Sequence, residues 1–277
     1  MLSGPVVEGE EPGSSPVVDT PGALAVQREI LSRASVAELE GIAAALERKS
    51  AALRELLAGD PSRLSRAGLR QVLGWVFATR RRAEHLLDTV GAEPLALAIT
   101  ALMGGPGPVE DRFDRFDAAW RSAPGHAAPG RSAPGRDGDR AVTALDGPGF
   151  DLPGEMLHFT SPDRYWLWTR WIWDPQARTG ALALVTTTEV GRSTGATRGA
   201  VYLDVGRATA FVDEAAKAVG PPWSGRGPFG IDVFLAAAYV VHVSTVVRLR
   251  MSREVAGILP PLTELVRRLL GVYQVEG

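Results

Sequence analysis

Apolar positions in the first half of this chain recur at helical spacing. Ser35-Val36-Ala37-Glu38 forms a capping box, the arrangement in which a hydroxyl and a carboxylate three residues apart satisfy the first free amides of a helix. A helix is therefore predicted to begin near Val36. Leu39, Ile42, Ala43, Leu46, Leu53, Leu56 and Leu57 follow at intervals of three, four and seven, until Gly59-Asp60-Pro61 ends the run. Upstream, Thr20-Pro21 reads as a helix start, a capping hydroxyl with proline at the first helical position. Downstream, short amphipathic helices are predicted near 66–79, 81–90, 93–103 and 108–121, separated by Gly91 and by Gly104-Gly105-Pro106.

The pattern lapses in two places. Residues 1–20 have no periodicity and too little apolar surface to bury, so they are predicted to form a disordered tail. Residues 122–140 repeat Ala-Pro-Gly at Ala123, Ala128 and Ala133 and hold no core former, which marks a flexible linker or insertion. The chain thus divides into a helical region at 21–121 and a C-terminal region at 141–277. In the latter, the β-type runs 181–190 and 200–205, joined by GRSTGATRG, predict a hairpin. Helices are expected near 152–159, 208–219, 231–251 and 262–270. The predicted fold class is mainly α, an array of short helices with one small β-hairpin in the C-terminal half.

Composition narrows the function classes. The 277 residues are 45% hydrophobic and 22% charged, enough for a sizeable core, and the net charge of −2 gives no whole-chain attraction to nucleic acid or an anionic surface. Glu8, Glu10, Glu11 and Asp19 concentrate negative charge in the tail. Lysine occurs only at Lys49 and Lys217, a bias towards arginine in keeping with a GC-rich genome. With no cysteine, disulfides, thiolate nucleophiles, Fe–S clusters and Cys-type zinc sites are excluded. The acidic first twenty residues lack the basic start and apolar core of a signal peptide, and a cytoplasmic location is expected. The apolar run 233–247 is shorter than the ~20 residues needed to span a bilayer, contains His242 and ends at Arg248 and Arg250. It reads as a buried core helix, and no membrane partner is expected.

Motif strings add little. Gly191-Arg192-Ser193-Thr194-Gly195 matches G-x-S-x-G but lies in the predicted hairpin loop, without the strand-to-helix elbow that strains a nucleophilic serine. Gly225-Arg226-Gly227-Pro228-Phe229-Gly230 matches G-x-G-x-x-G without a strand before it or an acid about 20 residues after it. The four histidines, His85, His126, His158 and His242, have no metal-ligand spacing, and neither metal nor cofactor is expected.

The segment 141–175 has more character. Leu145-Asp146-Gly147-Pro148-Gly149 is L-x-G-x-G, followed by a short helical stretch. It resembles the hairpin of helix-hairpin-helix proteins, in particular the DNA glycosylase superfamily, over about 35 residues. The resemblance implies that Gly147 and Gly149 turn tightly and expose amides to a DNA phosphate, with Arg164 and Arg170 as further nucleic-acid contacts. It also implies a departure. Lyase-type members carry a nucleophilic lysine where Asp151 stands, and members generally carry a catalytic aspartate where Thr169 stands. Asp163 and Asp174 lie nearby as displaced candidates for the carboxylate that base excision requires. Trp166, Trp168, Trp171 and Trp173 fall within eight residues and admit three readings: base stacking, a protein-partner surface, or core filling. The expectation is a non-catalytic binding or accessory protein on a helix-hairpin-helix-like scaffold, associated with DNA or a protein partner. The alternatives are a base-excision-type enzyme using Asp163 or Asp174, or a subunit of a larger assembly.

Overall fold

The computed structural model describes residues 20–123, 146–186, 197–219, 227–250 and 259–273. The predicted tail at 1–19, nearly all of the Ala-Pro-Gly segment with His126, and the G-x-S-x-G string lie outside these residues, as does the start of the G-x-G-x-x-G string. The described chain forms eleven α-helices: α1 (Thr20–Arg33), α2 (Val36–Leu56), α3 (Arg66–Trp75), α4 (Ala83–Val90), α5 (Ala92–Gly104), α6 (Val109–Arg121), α7 (Asp146–Thr160), α8 (Leu182–Val185), α9 (Arg198–Val219), α10 (Phe229–Arg250) and α11 (Leu262–Leu269). One core runs from Ile30 to Val272, so helices on both sides of residues 124–145 share it. α7 lies against α2, α5 and α6, while α10 lies against α1, α2 and α11.

Local signals act where they stand. The Ser35 hydroxyl accepts from the Glu38 amide at 3.3 Å, and the Glu38 carboxylate accepts from the Ser35 amide at 2.8 Å. Leu39, Ile42, Leu46 and Leu53 form the buried stripe of α2. Residues Phe229–Leu249 of α10 have the length and hydropathy of a membrane span, and 67% of that window is buried within the protein.

The predicted β-hairpin is corrected. Among the described residues there is no strand, only a single bridge between Asp174 and Thr179. Leu182–Val185 is one helical turn, and residues 200–205 lie within α9. In α9 the buried side chains Val201, Val205, Ala208 and Val212 recur every three or four residues, with Tyr202 buried beside Val201. The β-type composition of the short run 200–205 masked a helical period that emerges only over a longer window.

The two-glycine segment is helical too. Gly147 and Gly149 occupy the start of α7, where the sequence predicted a hairpin turn. Asp146–Thr160 contains three glycines and two prolines, a composition that opposes helix formation in isolation. Tertiary packing overrides it because the missing side chains admit neighbours. A Cβ on Gly149 would sit 2.2 Å from the Trp120 indole, and one on Gly154 would sit 2.1 Å from the Trp168 carbonyl oxygen.

The tryptophans fill the core. Trp166, Trp168, Trp171 and Trp173 are only 6, 0, 9 and 5% exposed, so none offers a ring face to a base or a partner protein. Trp168 packs edge-on to Phe150 at 4.4 Å and donates through Nε1 to the Trp173 carbonyl at 3.0 Å. Spacings of two, three and two residues suit an irregular strand of chain threaded between helices, with rings pointing several ways.

The two close approaches predict different costs. Gly149→Ala meets a side chain that can shift and should lose about 1–3 kcal/mol in urea denaturation. Gly154→Ala meets backbone and should lose more, at least about 3 kcal/mol. Equal and small losses would show that α7 is not seated against these groups.

Candidate functional site

Three ionisable residues of α7, Asp151, Glu155 and His158, are spaced at i, i+4 and i+7 and share one helix face. All are buried, at 8, 4 and 0% exposure. Each is met by a group from a different part of the chain. Glu155 accepts from Lys49 Nζ of α2 at 2.7 Å, and the same ammonium donates to the Leu270 carbonyl at 2.9 Å and lies 4.0 Å from the Phe159 ring centroid. His158 Nδ1 donates to the Tyr165 carbonyl at 2.8 Å, while Nε2 lies 2.7 Å from Asp232 Oδ2 of α10. Asp151 accepts from the Arg170 amide at 2.9 Å, with the Arg170 guanidinium 3.7 Å from its other oxygen.

Burial and pairing compete in each group. Burial pushes the Lys49 ammonium below its ordinary range against the pull of Glu155. For His158 burial acts downward as well, but the charge and hydrogen bond of Asp232 prevail and hold the imidazole above its usual value. Since the Tyr165 carbonyl can only accept, Nδ1 of His158 carries a proton, and the contact of Nε2 with Asp232 favours the protonated ring. Lys49–Glu155 and His158–Asp232 are thus two internally neutral pairs. Asp151 differs: burial raises it to about 7, and the nearby Arg170 offsets this only in part.

Asp151 also faces a cavity. Its walls enclose about 770 Å³ and include Arg80, Arg81, Arg82, Arg170 and Arg268. Apolar side chains complete the lining: Tyr239, Val240, Val243 and Val247 of α10, and Leu265 and Leu269, which flank Arg268 on α11. Arg80 is held below its ordinary pKa first by burial and then by the neighbouring charges of Arg81 and Arg268. The buried Nε atoms of Arg170 and Arg268 have no hydrogen-bond partner. Cations crowded in a partly buried cleft repel one another, and an anion placed among them would relieve that repulsion.

The residues singled out from sequence are dispersed. Arg170 lines this cavity, whereas Asp163 and Arg164 are exposed and line a separate cavity of about 400 Å³ with Tyr165 and Trp166. Asp174 accepts from the Gln176 and Ala177 amides at 2.9 and 3.0 Å, closing its own turn. Thr169 is buried. Gly149 lies beneath Trp120, with no room for a phosphate at that position. Sequence reasoning missed Asp151 as a cavity acid and the run Arg80-Arg81-Arg82. The signals were present in the i, i+4, i+7 spacing and in three consecutive arginines, but neither reveals that the two converge. Among the described residues no group of three or more acids and histidines is arranged to hold a metal ion.

The fold and site define a mainly helical protein with buried ion pairs along one helix and an arginine-lined cavity beside Asp151. No family model, curated protein or solved structure matches the chain.

Two predictions follow from this ladder of buried groups along α7. Lys49→Met strands Glu155 and should cost about 3–5 kcal/mol, while the double variant Lys49→Met/Glu155→Leu should recover most of that loss. A double variant as unstable as the single one would show that the ammonium's contacts with Leu270 and Phe159, rather than the ion pair, hold this region. For Asp151, the folded state holds a proton that the unfolded state releases near pH 3.8. Its contribution to stability is therefore full below that value, declines as pH rises towards 7 and is lost above it, a swing on the order of 4 kcal/mol. Asp151→Asn should flatten this decline between pH 4 and 8 in urea titrations. An unchanged pH profile would mean that Asp151 titrates normally.

Proposed function

We propose that this chain is a non-catalytic binding or accessory protein and that its site is the arginine-lined cavity beside Asp151, which takes a small anion. The observation that carries the reading is the convergence of Arg80, Arg81, Arg170 and Arg268 on one concavity from three separate stretches of chain. Arg80 feels the repulsion of Arg81 and of Arg268, whose own charge Glu264 offsets only in part, and a bound anion would relieve it. Asp151, raised by burial to about 7, adds little negative charge to oppose the anion below that pH.

A non-catalytic role is supported by what the polar groups already do. Lys49 pairs with Glu155 and His158 with Asp232 Oδ2 in the interior, Asp174 closes a turn, and Asp163 stands exposed in a separate cavity. The helix-hairpin-helix-like association with DNA remains part of the proposal only through Arg170 and its neighbours, since Gly149 is covered by Trp120. A cavity lined in part by apolar side chains favours a small ligand over a nucleic-acid strand.

The test is calorimetric titration of the full chain with inorganic phosphate and pyrophosphate at low, constant ionic strength. Binding is expected in the wild type, weakened at least tenfold in Arg170→Gln and Arg268→Gln and unaltered in Arg164→Gln. Equal weakening by Arg164→Gln would indicate diffuse surface attraction and remove the site. Tight, salt-sensitive binding of DNA oligonucleotides that ignores Arg170 and Arg268 would favour the nucleic-acid reading instead.

A further inference from the structure

The cavity is much larger than a bare oxyanion needs. A tetrahedral anion occupies roughly two water volumes, ~60 Å³, against the ~770 Å³ enclosed here. The remaining space is bounded by hydrocarbon. On α10, Tyr239, Val240, Val243 and Val247 recur at helical spacing along one face, and Leu265 and Leu269 of α11 join them in the lining. This stripe is incompletely covered: Val243 is 39% exposed, and Phe77, which also lines the cavity, is 38% exposed. Elsewhere the inward face of α10 is closed, with Phe234, Leu235, Ala236 and Ala238 all buried. Val243 and Phe77 thus leave apolar surface open within the same concavity as Arg80, Arg170 and Arg268, so the lining offers hydrocarbon beside cationic groups.

We infer, resting on the anion-site reading above, that the ligand is a single-chain amphiphilic anion. Its carboxylate or phosphate head lies against Arg80, Arg170 and Arg268, and its aliphatic or aryl tail lies along the stripe of α10 and α11. Charge complementarity selects the head: Glu264 pairs with Arg268 and Asp151 lies 3.7 Å from Arg170, yet the lining still holds more cations than these two acids can balance, so an anionic head is favoured over a neutral one. The tail is selected by the apolar surface it removes from water, from the ligand and the cavity wall alike. Ser244, whose hydroxyl bonds the Val241 carbonyl and receives Arg33, is already engaged and leaves the stripe without a free polar group at that position. Binding at the head should also weaken as pH rises past neutrality. Asp151 then ionises beside the head, with Arg80, Arg81, Arg82, Arg170, Arg268 and the Asp117-paired Arg198 the surrounding cations, and Glu155, matched by Lys49, and Glu264, matched by Arg268, the other acids.

The experiment is a titration of the full chain with straight-chain carboxylates from butyrate to decanoate, each below its micelle concentration, with decanol and inorganic phosphate as controls. Affinity should rise roughly fourfold for each methylene buried until the cavity is filled. Val243→Asn, an uncharged polar side chain at a half-open position, should sharply reduce the chain-length dependence, whereas Arg164→Gln, outside this cavity, should leave both phosphate binding and the chain-length dependence at wild-type values. Arg170→Gln should weaken every carboxylate by a similar factor. If phosphate binds but added methylenes do nothing, the site holds a small oxyanion, and this inference fails while the anion-site proposal stands. If decanol binds as tightly as decanoate, the cavity is an apolar pocket, and both readings fail. If neither phosphate nor any carboxylate binds, both fail as well. Capture by anionic phospholipid vesicles without binding of the soluble carboxylates would reassign the stripe to a membrane surface and overturn the inference.

Discussion

A helix that carries Asp151, Glu155 and His158 on one buried face cannot be placed in an apolar core without partners, and that constraint orders the whole protein. The free energy of burying an uncompensated charge exceeds the stability of an ordinary domain, so α7 is tolerated only where each group is answered. Lys49 brings α2, Asp232 brings α10, and the Leu270 carbonyl beside Lys49 brings the turn after α11. Four parts of the chain distant in sequence are thus held in a common register by hydrogen bonds of 2.7–2.9 Å. Hydrophobic packing supplies most of the driving force, but it is nondirectional. The ladder selects one arrangement among the many that would bury the same leucines.

The same helix is where the chain departs furthest from local preference. Gly149 and Gly154 weaken α7 as an isolated segment, yet they let Trp120 and the backbone at Trp168 come close enough to seal the ladder from water. The tryptophan-rich stretch then packs Trp168 edge-on to Phe150 and at a tilt to Phe113 and Tyr202. Burial pushes the Tyr202 phenol up, keeping it an O–H donor to the Trp166 carbonyl. The aromatic groups and the ion pairs depend on each other: the rings exclude the water that would screen the pairs, and the pairs fix the helix against which the rings pack.

The cavity sits at the open end of the ladder. Its interior neighbours are matched pairs of zero net charge, so the field within it comes mainly from the arginines of residues 80–82, Arg170 and Arg268. Asp151 couples the two regions, because it belongs to the ladder by position and to the cavity by exposure. Its raised pKa follows from this intermediate placement: too buried to ionise freely, and too far from the Arg170 guanidinium, at 3.7 Å, for a close ion pair.

How much of this was legible beforehand depends on the range of the interactions. The capping box at Ser35 and Glu38, the leucine stripe of α2 and the buried character of α10 were readable because each is decided within a few turns of chain. Residues 181–185 and 200–205 were misread as strands because five or six apolar residues do not distinguish a period of two from one of 3.6, and the helical stripe of α9 is evident only as far as Val212. The Gly147–Gly149 segment looked like a turn because glycine and proline favour turns locally; Trp120, a residue from another helix, decided otherwise. Asp163 and Asp174 were weighed for their distance from a glycine, whereas Asp151 became the notable acid through burial, which no spacing encodes. By itself the sequence determined which stretches become helices and which faces turn inward, since those are properties of neighbouring residues. Tertiary structure alone decided that Lys49 meets Glu155, that His158 meets Asp232, and that arginines from three separate stretches share one cavity, because those energies arise only when distant segments are brought within a few ångströms.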